Sequence, residues 1–225
     1  MSVTNKLQLN HPVLVLLYGY PGAGKTYLAR QLCDDIKAAH VQGDRIRYEL
    51  FEEPRYDRQE NEIVEHLMSY MAEEFLNAGI SVVFDINASR LAKRRELRDM
   101  ARRAKAQPLL VWFQLDAETA FLRTTIRDRR KSDDKYAMPL DLDTFEQLIN
   151  AMQNPDQTED YMVISGKHNY NTHRGAIIKK LYDLGLVSSE GASSKQVKPE
   201  LVNLIPHRIT GRVDPARRNI NIRLT

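Results

Sequence analysis

Five short apolar runs punctuate the chain, and longer stretches with apolar residues every three or four positions lie between them. The runs at 13–18, 39–42, 80–84, 109–115 and 161–165 have the length and composition of buried strands. The segments 25–38, 59–78, 90–106, 117–131, 141–153 and 172–185 carry the helical period. Alternating strands and helices predict βαβ units, and so an α/β chain with a mainly parallel five-stranded sheet covered on both faces. Local signals agree with this. Asp116 is placed to cap the helix after the fourth strand, and Gly79 and Gly185 to close helices at their C-terminal ends.

Two polar stretches interrupt the pattern. Ser132–Leu142 ends around a proline and separates two helical segments, so the region near 123–143 reads as a lid. The small polar run 188–194 reads as a linker. At 225 residues the chain has room for one domain, 1–187, followed by the linker and a C-terminal tail, 188–225. The formal charge is only +3, but residues 186–225 hold seven Lys and Arg against three Asp and Glu, so the tail is basic. This leaves nucleic acid or a protein as candidate partners of the tail.

No apolar run approaches the ~20 residues of a membrane-spanning helix, and residues 1–6 lack an apolar signal core. A single cysteine, Cys33, excludes an intrachain disulfide. A cytoplasmic protein with a buried structural thiol is the expectation. The six histidines show no metal-ligand spacing.

The sharpest chemical signal follows the first strand. Gly19-Tyr20-Pro21-Gly22-Ala23-Gly24-Lys25-Thr26 is a complete G-x-x-x-x-G-K-[ST] phosphate-binding loop, with helix-forming residues from Tyr27 onward. Its glycines let backbone N–H groups turn toward one concavity at a helix N-terminus, where an anion is stabilised. Gly19, Pro21, Gly22, Ala23, Gly24, Lys25, Thr26 and Tyr27 are therefore expected to hold ATP, with Lys25 on the β- and γ-phosphates and the Thr26 hydroxyl on Mg²⁺. The fold expected is a P-loop NTPase three-layer α/β/α sandwich with a basic C-terminal extension.

Further chemistry is expected where strands deliver polar residues at their C-terminal ends, since these border the ligand crevice. Asp44, after the second strand, can accept the proton of an acceptor hydroxyl, and Arg47 can hold the acceptor; a solvated surface pair is the alternative. Asp85 and Asn87 end the third strand, where a carboxylate can orient a Mg²⁺-bound water or the acceptor, or merely cap the next helix. No Glu stands beside Asp85 to polarise an attacking water, which favours transfer over hydrolysis. Arg123 and Arg127 share a face of the fifth helical segment at i, i+4 spacing and can close over a triphosphate. The segment 90–105 carries eight Lys and Arg against Glu96 and Asp99. It reads mainly as a solvated helix, with Arg90 and Arg94 the residues expected to reach the cleft.

The sequence Gly-Tyr-Pro-Gly-Ala-Gly-Lys-Thr, then Gly-Asp-Arg-Ile-Arg, then Phe-Asp-Ile-Asn, then an Arg-rich helix with a lid resembles the P-loop kinases related to polynucleotide 5′-hydroxyl kinase, zeta toxins and chloramphenicol phosphotransferase. Some of that group bear an AAA-family ATPase label. The resemblance spans roughly residues 12–185. It implies that Asp44 is the general base, that Arg47 contacts an acceptor phosphate, that Asp85 lies at the acceptor site, and that Arg123 or Arg127 contacts nucleotide phosphates. Ile86 stands where the polynucleotide kinases carry a hydroxyl side chain. The expectation is an ATP-dependent phosphotransferase whose acceptor is a polynucleotide 5′ end or a small hydroxyl compound. An ATP-binding switch or weak ATPase acting through a partner is the alternative.

Overall fold

The computed structural model describes residues 7–128, 130 and 134–187. The expected linker and tail, 188–225, therefore lie outside the described residues, as do Arg129 and residues 131–133 of the expected lid.

Five strands, β1 (Val13–Tyr18), β2 (Ala39–Gln42), β3 (Val82–Asn87), β4 (Gln107–Gln114) and β5 (Tyr161–Ser165), form one sheet in the order β2-β3-β1-β4-β5. Every pairing is parallel. Among the described residues seven helices accompany them: α1 (Lys25–Ile36), α2 (Gly43–Leu50), α3 (Arg58–Asn77), α4 (Leu91–Arg103), α5 (Ala117–Thr125), α6 (Leu142–Asn150) and α7 (Tyr170–Asp183).

β1 is buried on both faces, and its alternation builds two cores. Val13, Val15 and Leu17 pack with Leu28, Leu32, Ile177 and Leu181 from α1 and α7. Leu14, Leu16 and Tyr18 pack with Val64, Met68, Leu97 and Met100 from α3 and α4. This is the three-layer sandwich. β1 lies between strands reached in opposite directions along the sheet, so the crevice of the fold opens at its C-terminal end.

Three elements depart from the sequence expectation. β3 runs from Val82 to Asn87 rather than 80–84, because the ladders to β2 and β1 extend to Gln42↔Asp85 and Leu17↔Asn87. Asp85 and Asn87 thus belong to the strand itself. The segment after β2 is a helix, α2, which carries Asp44 in its first turn. The fifth helix stops at Thr125 and not at 131. Thr124 and Thr125 turn their hydroxyls back onto the carbonyls of Phe121 and Leu122 at 2.7 and 2.8 Å, and the β-branched run Thr124-Thr125-Ile126 is a poor helix former. Arg127 therefore lies beyond the helix and does not share a helical face with Arg123.

The expected caps form. The Asp116 side chain accepts from Thr119 N at 2.8 Å, and Gly79 and Gly185 adopt φ of 77° and 70° past the ends of α3 and α7.

Candidate active site

The phosphate loop spans the gap between β1 and α1. Gly22 has a φ of 85°, and a Cβ there would collide with the Ala120 carbonyl of α5, so only glycine fits. Lys25 opens α1 and folds its ammonium back over the loop, donating to Gly19 O at 2.7 Å and Tyr20 O at 2.9 Å. Burial lowers its pKa to about 8, against the pull of Asp85. Asn87 Oδ1 accepts from Gly19 N at 3.3 Å and tethers the loop to the end of β3.

Thr26 and Asp85 meet in the cleft that the loop lines. The Thr26 hydroxyl donates to Asp85 Oδ1 at 3.2 Å, and His40 Nε2 lies 2.9 Å from Asp85 Oδ2. The Asp85 carboxylate is buried and does not cap α4. His40 is a site residue that the sequence reading passed over. It lies on the neighbouring strand, and its reach toward Asp85 follows from the β2–β3 register, which local sequence does not encode.

Asp44 projects into the same cleft. Burial, and then the negative charge of Asp85, raise its pKa to about 6, while Arg47, Arg127 and Lys25 pull the other way. No hydrogen bond or ion pair to its carboxylate forms among the described residues. An unpaired, partly desolvated carboxylate in a cleft is poised to take a proton near neutral pH.

Arg123 and Arg127 both line the cleft, although on different elements. Arg123 donates to Gly166 O at 2.8 Å, in the loop after β5. Arg127 donates to Met138 O at 3.3 Å and lies near Asp134, so it ties the segment after α5 to the cleft. Pro21, Gly22, Gly24, Lys25, Thr26 and Tyr27 line it from the loop side, and Tyr27 sets its ring edge-on to Tyr170. Ala23 is buried beneath. The cavity they enclose is about 440 Å³.

Two expected site residues are placed elsewhere. Arg47 is 4% exposed and pairs with Glu60 at 3.1 Å, with its guanidinium 4.6 Å from the centre of the Tyr56 ring. Glu60 also accepts the N–H groups of Arg55 and Tyr56, so Arg47 belongs to the support of the α2–α3 connection. Arg94 is fully buried. It pairs with Glu159 and donates to the carbonyls of Ala88 and Gln153 at 2.9 Å each. Arg98 shares Glu159, Arg102 pairs with Asp99, and Arg103 lies 4.0 Å from Glu73, so much of the basic stripe of α4 is neutralised in place.

Arg90, at the N-terminus of α4, is exposed and lines a second cavity of about 780 Å³. Pro21, Ile86, Asn87 and Leu148 line both cavities.

The oxygen donors Thr26 and Asp85 are of the hard type that Mg²⁺ prefers, and they meet at one point of the cleft. Among the described residues, no group of three or more His, Cys, Asp or Glu could hold a metal by itself. An ion there would need ligands from a bound triphosphate, as Mg²⁺ usually has. Cys33 is free, and burial raises its pKa to about 12, which leaves the thiol unreactive. No described helix is long and apolar enough to cross a membrane.

A family model described as an AAA domain, AAA_33, matches residues 14–155. A search among curated proteins finds no match. Among solved structures, Kti12 from Chaetomium thermophilum, in complex with ADP-AlF3, is similar at 16% identity over 79% of this chain and 100% of that one, with a TM-score of 0.60. The APS kinase CysC from Mycobacterium tuberculosis, in complex with AMPPNP and APS, is similar at 17% identity over 76% and 98%, with a TM-score of 0.54. A gluconokinase from Sinorhizobium meliloti is similar at 12% identity over 77% and 97%, with a TM-score of 0.53. At these identities the likeness is one of fold, and the fold is that of the P-loop NTPases.

Proposed function

Because the chain belongs to the AAA_33 family of AAA domains and folds as a P-loop NTPase, we propose that it is an ATP-dependent phosphotransferase with an acceptor hydroxyl as its second substrate. The observation that carries this reading is the unpaired Asp44 carboxylate, set in the same cleft as Lys25, Thr26 and Asp85. A nucleotide-binding loop alone would suit a switch equally well. A carboxylate with a raised pKa facing it is the equipment of a general base.

In this reading the triphosphate lies along the loop from Gly19 to Thr26, and Lys25 leaves the Gly19 and Tyr20 carbonyls for the β- and γ-phosphates. Thr26, backed by Asp85, would hold Mg²⁺, which neutralises charge on the β- and γ-phosphate oxygens when bound. Nucleotide binding draws support from the ADP-AlF3 and AMPPNP complexes of the similar structures. Arg123 and Arg127 supply further cations to the cleft, and the segment from 134 to 140 closes over it as a lid. The acceptor oxygen bonds to the γ-phosphorus as the bond from that phosphorus to the bridging oxygen breaks. ADP leaves with the electron pair, and the acceptor proton passes to Asp44.

His40 holds the Asp85 carboxylate so that its other oxygen stays toward Thr26. Asn87 fixes the loop against β3 and borders the space from which the acceptor arrives. We place the protein in the cytoplasm, where ATP and Mg²⁺ are available and Cys33 stays reduced. Release of ADP from ATP with Mg²⁺, followed with and without a panel of hydroxyl compounds, tests the proposal. Acceptor-dependent release supports it, and release indifferent to every acceptor favours a weak ATPase or switch.

A further inference from the structure

The cavity between α3 and α4 shares Pro21, Ile86, Asn87 and Leu148 with the cleft that holds Lys25, Thr26 and Asp44, so a molecule seated in it borders the phosphate loop. Its volume, about 780 Å³, falls within the range of small-molecule sites, roughly 300–1,000 Å³. Phe84 and Leu97, both buried, form an apolar floor.

The two walls differ in charge. The α4 wall offers Arg90 and Lys93. The Lys93 ammonium is held by Ser69 Oγ at 3.2 Å and Glu96 at 3.1 Å, whereas the Arg90 guanidinium has no hydrogen bond or ion pair among the described residues. The α3 wall offers Glu62 and Glu65. Arg58 on that wall is already engaged by Glu62 at 2.7 Å, and the Glu65 side chain has no partner among the described residues.

We infer that this cleft binds the acceptor, and that the acceptor is a small polyol bearing a single anionic group. The anion rests on Arg90 beside Lys93, hydroxyls donate to Glu65, and one further hydroxyl is presented past Asn87 to Asp44. An unpaired guanidinium at a cleft rim is a fork for a carboxylate or phosphate monoester. The carboxylates across the cleft accept hydroxyl hydrogen bonds and repel a second phosphate, so a polynucleotide continuing along the cleft is disfavoured. This inference rests on the phosphotransferase reading and names its substrate class.

The test measures ADP release from ATP with Mg²⁺ in the presence of gluconate, ribose 5-phosphate, glucose or a 5′-hydroxyl oligonucleotide, together with calorimetric titration of the first two into protein holding a non-hydrolysable ATP analogue. The expected result is turnover with gluconate or ribose 5-phosphate and little with glucose. Which of the two works separates a carboxylate from a phosphate monoester. Arg90→Ala should raise the KM for the active anionic acceptor by about tenfold or more, the scale of one lost charge-assisted contact. Arg90 is exposed and unpartnered, so this variant should melt like the parent. Preference for glucose or the oligonucleotide, or an Arg90→Ala KM equal to the parent's, overturns the inference and leaves phosphotransfer standing. Calorimetric binding of the anionic polyol without any turnover would instead support the cleft assignment and overturn the phosphotransferase reading. Neither binding nor turnover with the anionic polyols removes the inference.

Discussion

The hydroxyl of Thr26 donates to Asp85 across 3.2 Å, joining the first turn of α1 to the end of β3. Residues 59 positions apart thus place a hydroxyl and a carboxylate oxygen together at the mouth of the phosphate loop. With His40 on the other oxygen, Asp85 is fixed at both ends.

Replacing Asp85 by Asn keeps the shape but removes the charge behind Thr26. We expect kcat/KM to fall by about 10²-fold, the scale of losing one electrostatic contact in a preorganised site. The requirement for Mg²⁺ should shift to higher concentration, which a Mg²⁺ titration of the rate reads directly. A variant with the parent's rate and Mg²⁺ dependence would remove Asp85 from the site.

With Asp44 as the proposed base, its ionisation should set the acid side of the pH profile. A base must be ionised, so activity should fall as pH drops through about 6. Asp44→Asn should lower kcat by about 10²–10⁴-fold. The stability effect has the opposite sense. A carboxyl whose pKa is raised in the fold favours folding below its ordinary pKa of 3.8, and that contribution is lost as pH rises through about 6. Above that pH the Asn variant should therefore unfold at higher urea than the parent. Equal midpoints at pH 7.5 would mean that Asp44 is well solvated.

Lys25 gives a second pH signature. Burial holds its pKa near 8, and an added triphosphate favours the charged form, so nucleotide binding at pH 8 should take up a proton. Calorimetry of ATP binding in buffers of different ionisation enthalpy measures that uptake. It should shrink as pH falls to 6.5, where Lys25 is already charged, and uptake that persists there would assign the proton to another group.

How much of this could be read from the chain depended on distance. The phosphate loop was legible because its strand, glycines, lysine and helix are contiguous, and the sheet was legible because its strands are short apolar runs. Arg47 and Asp44 read as a pair from sequence, yet only Asp44 reaches the cleft. Glu60, 13 residues on, captures Arg47 in a buried pair, and no local pattern announces that. Arg94 was taken by Glu159, 65 residues away. Arg127 continues the helical period of the sequence, but two threonine hydroxyls end that helix before it.

Arg47 accordingly should behave as a structural residue. Arg47→Ala removes the buried cation from Glu60 and leaves it only the exposed Arg55 and the N–H groups of Arg55 and Tyr56, so the melting temperature should drop by several degrees. Glu60→Gln should cost less together with Arg47→Ala than the two changes summed, which a double-mutant cycle measures. An Arg47→Ala protein as stable as the parent but with a raised acceptor KM would return Arg47 to the site.

The most direct measurement follows γ-labelled phosphate from ATP with Mg²⁺ into hydroxyl acceptors, comparing the parent with Asp44→Asn. The account predicts a labelled acceptor whose formation collapses in the variant. Label appearing only as free phosphate, at a rate that Asp44→Asn leaves unchanged, would contradict it.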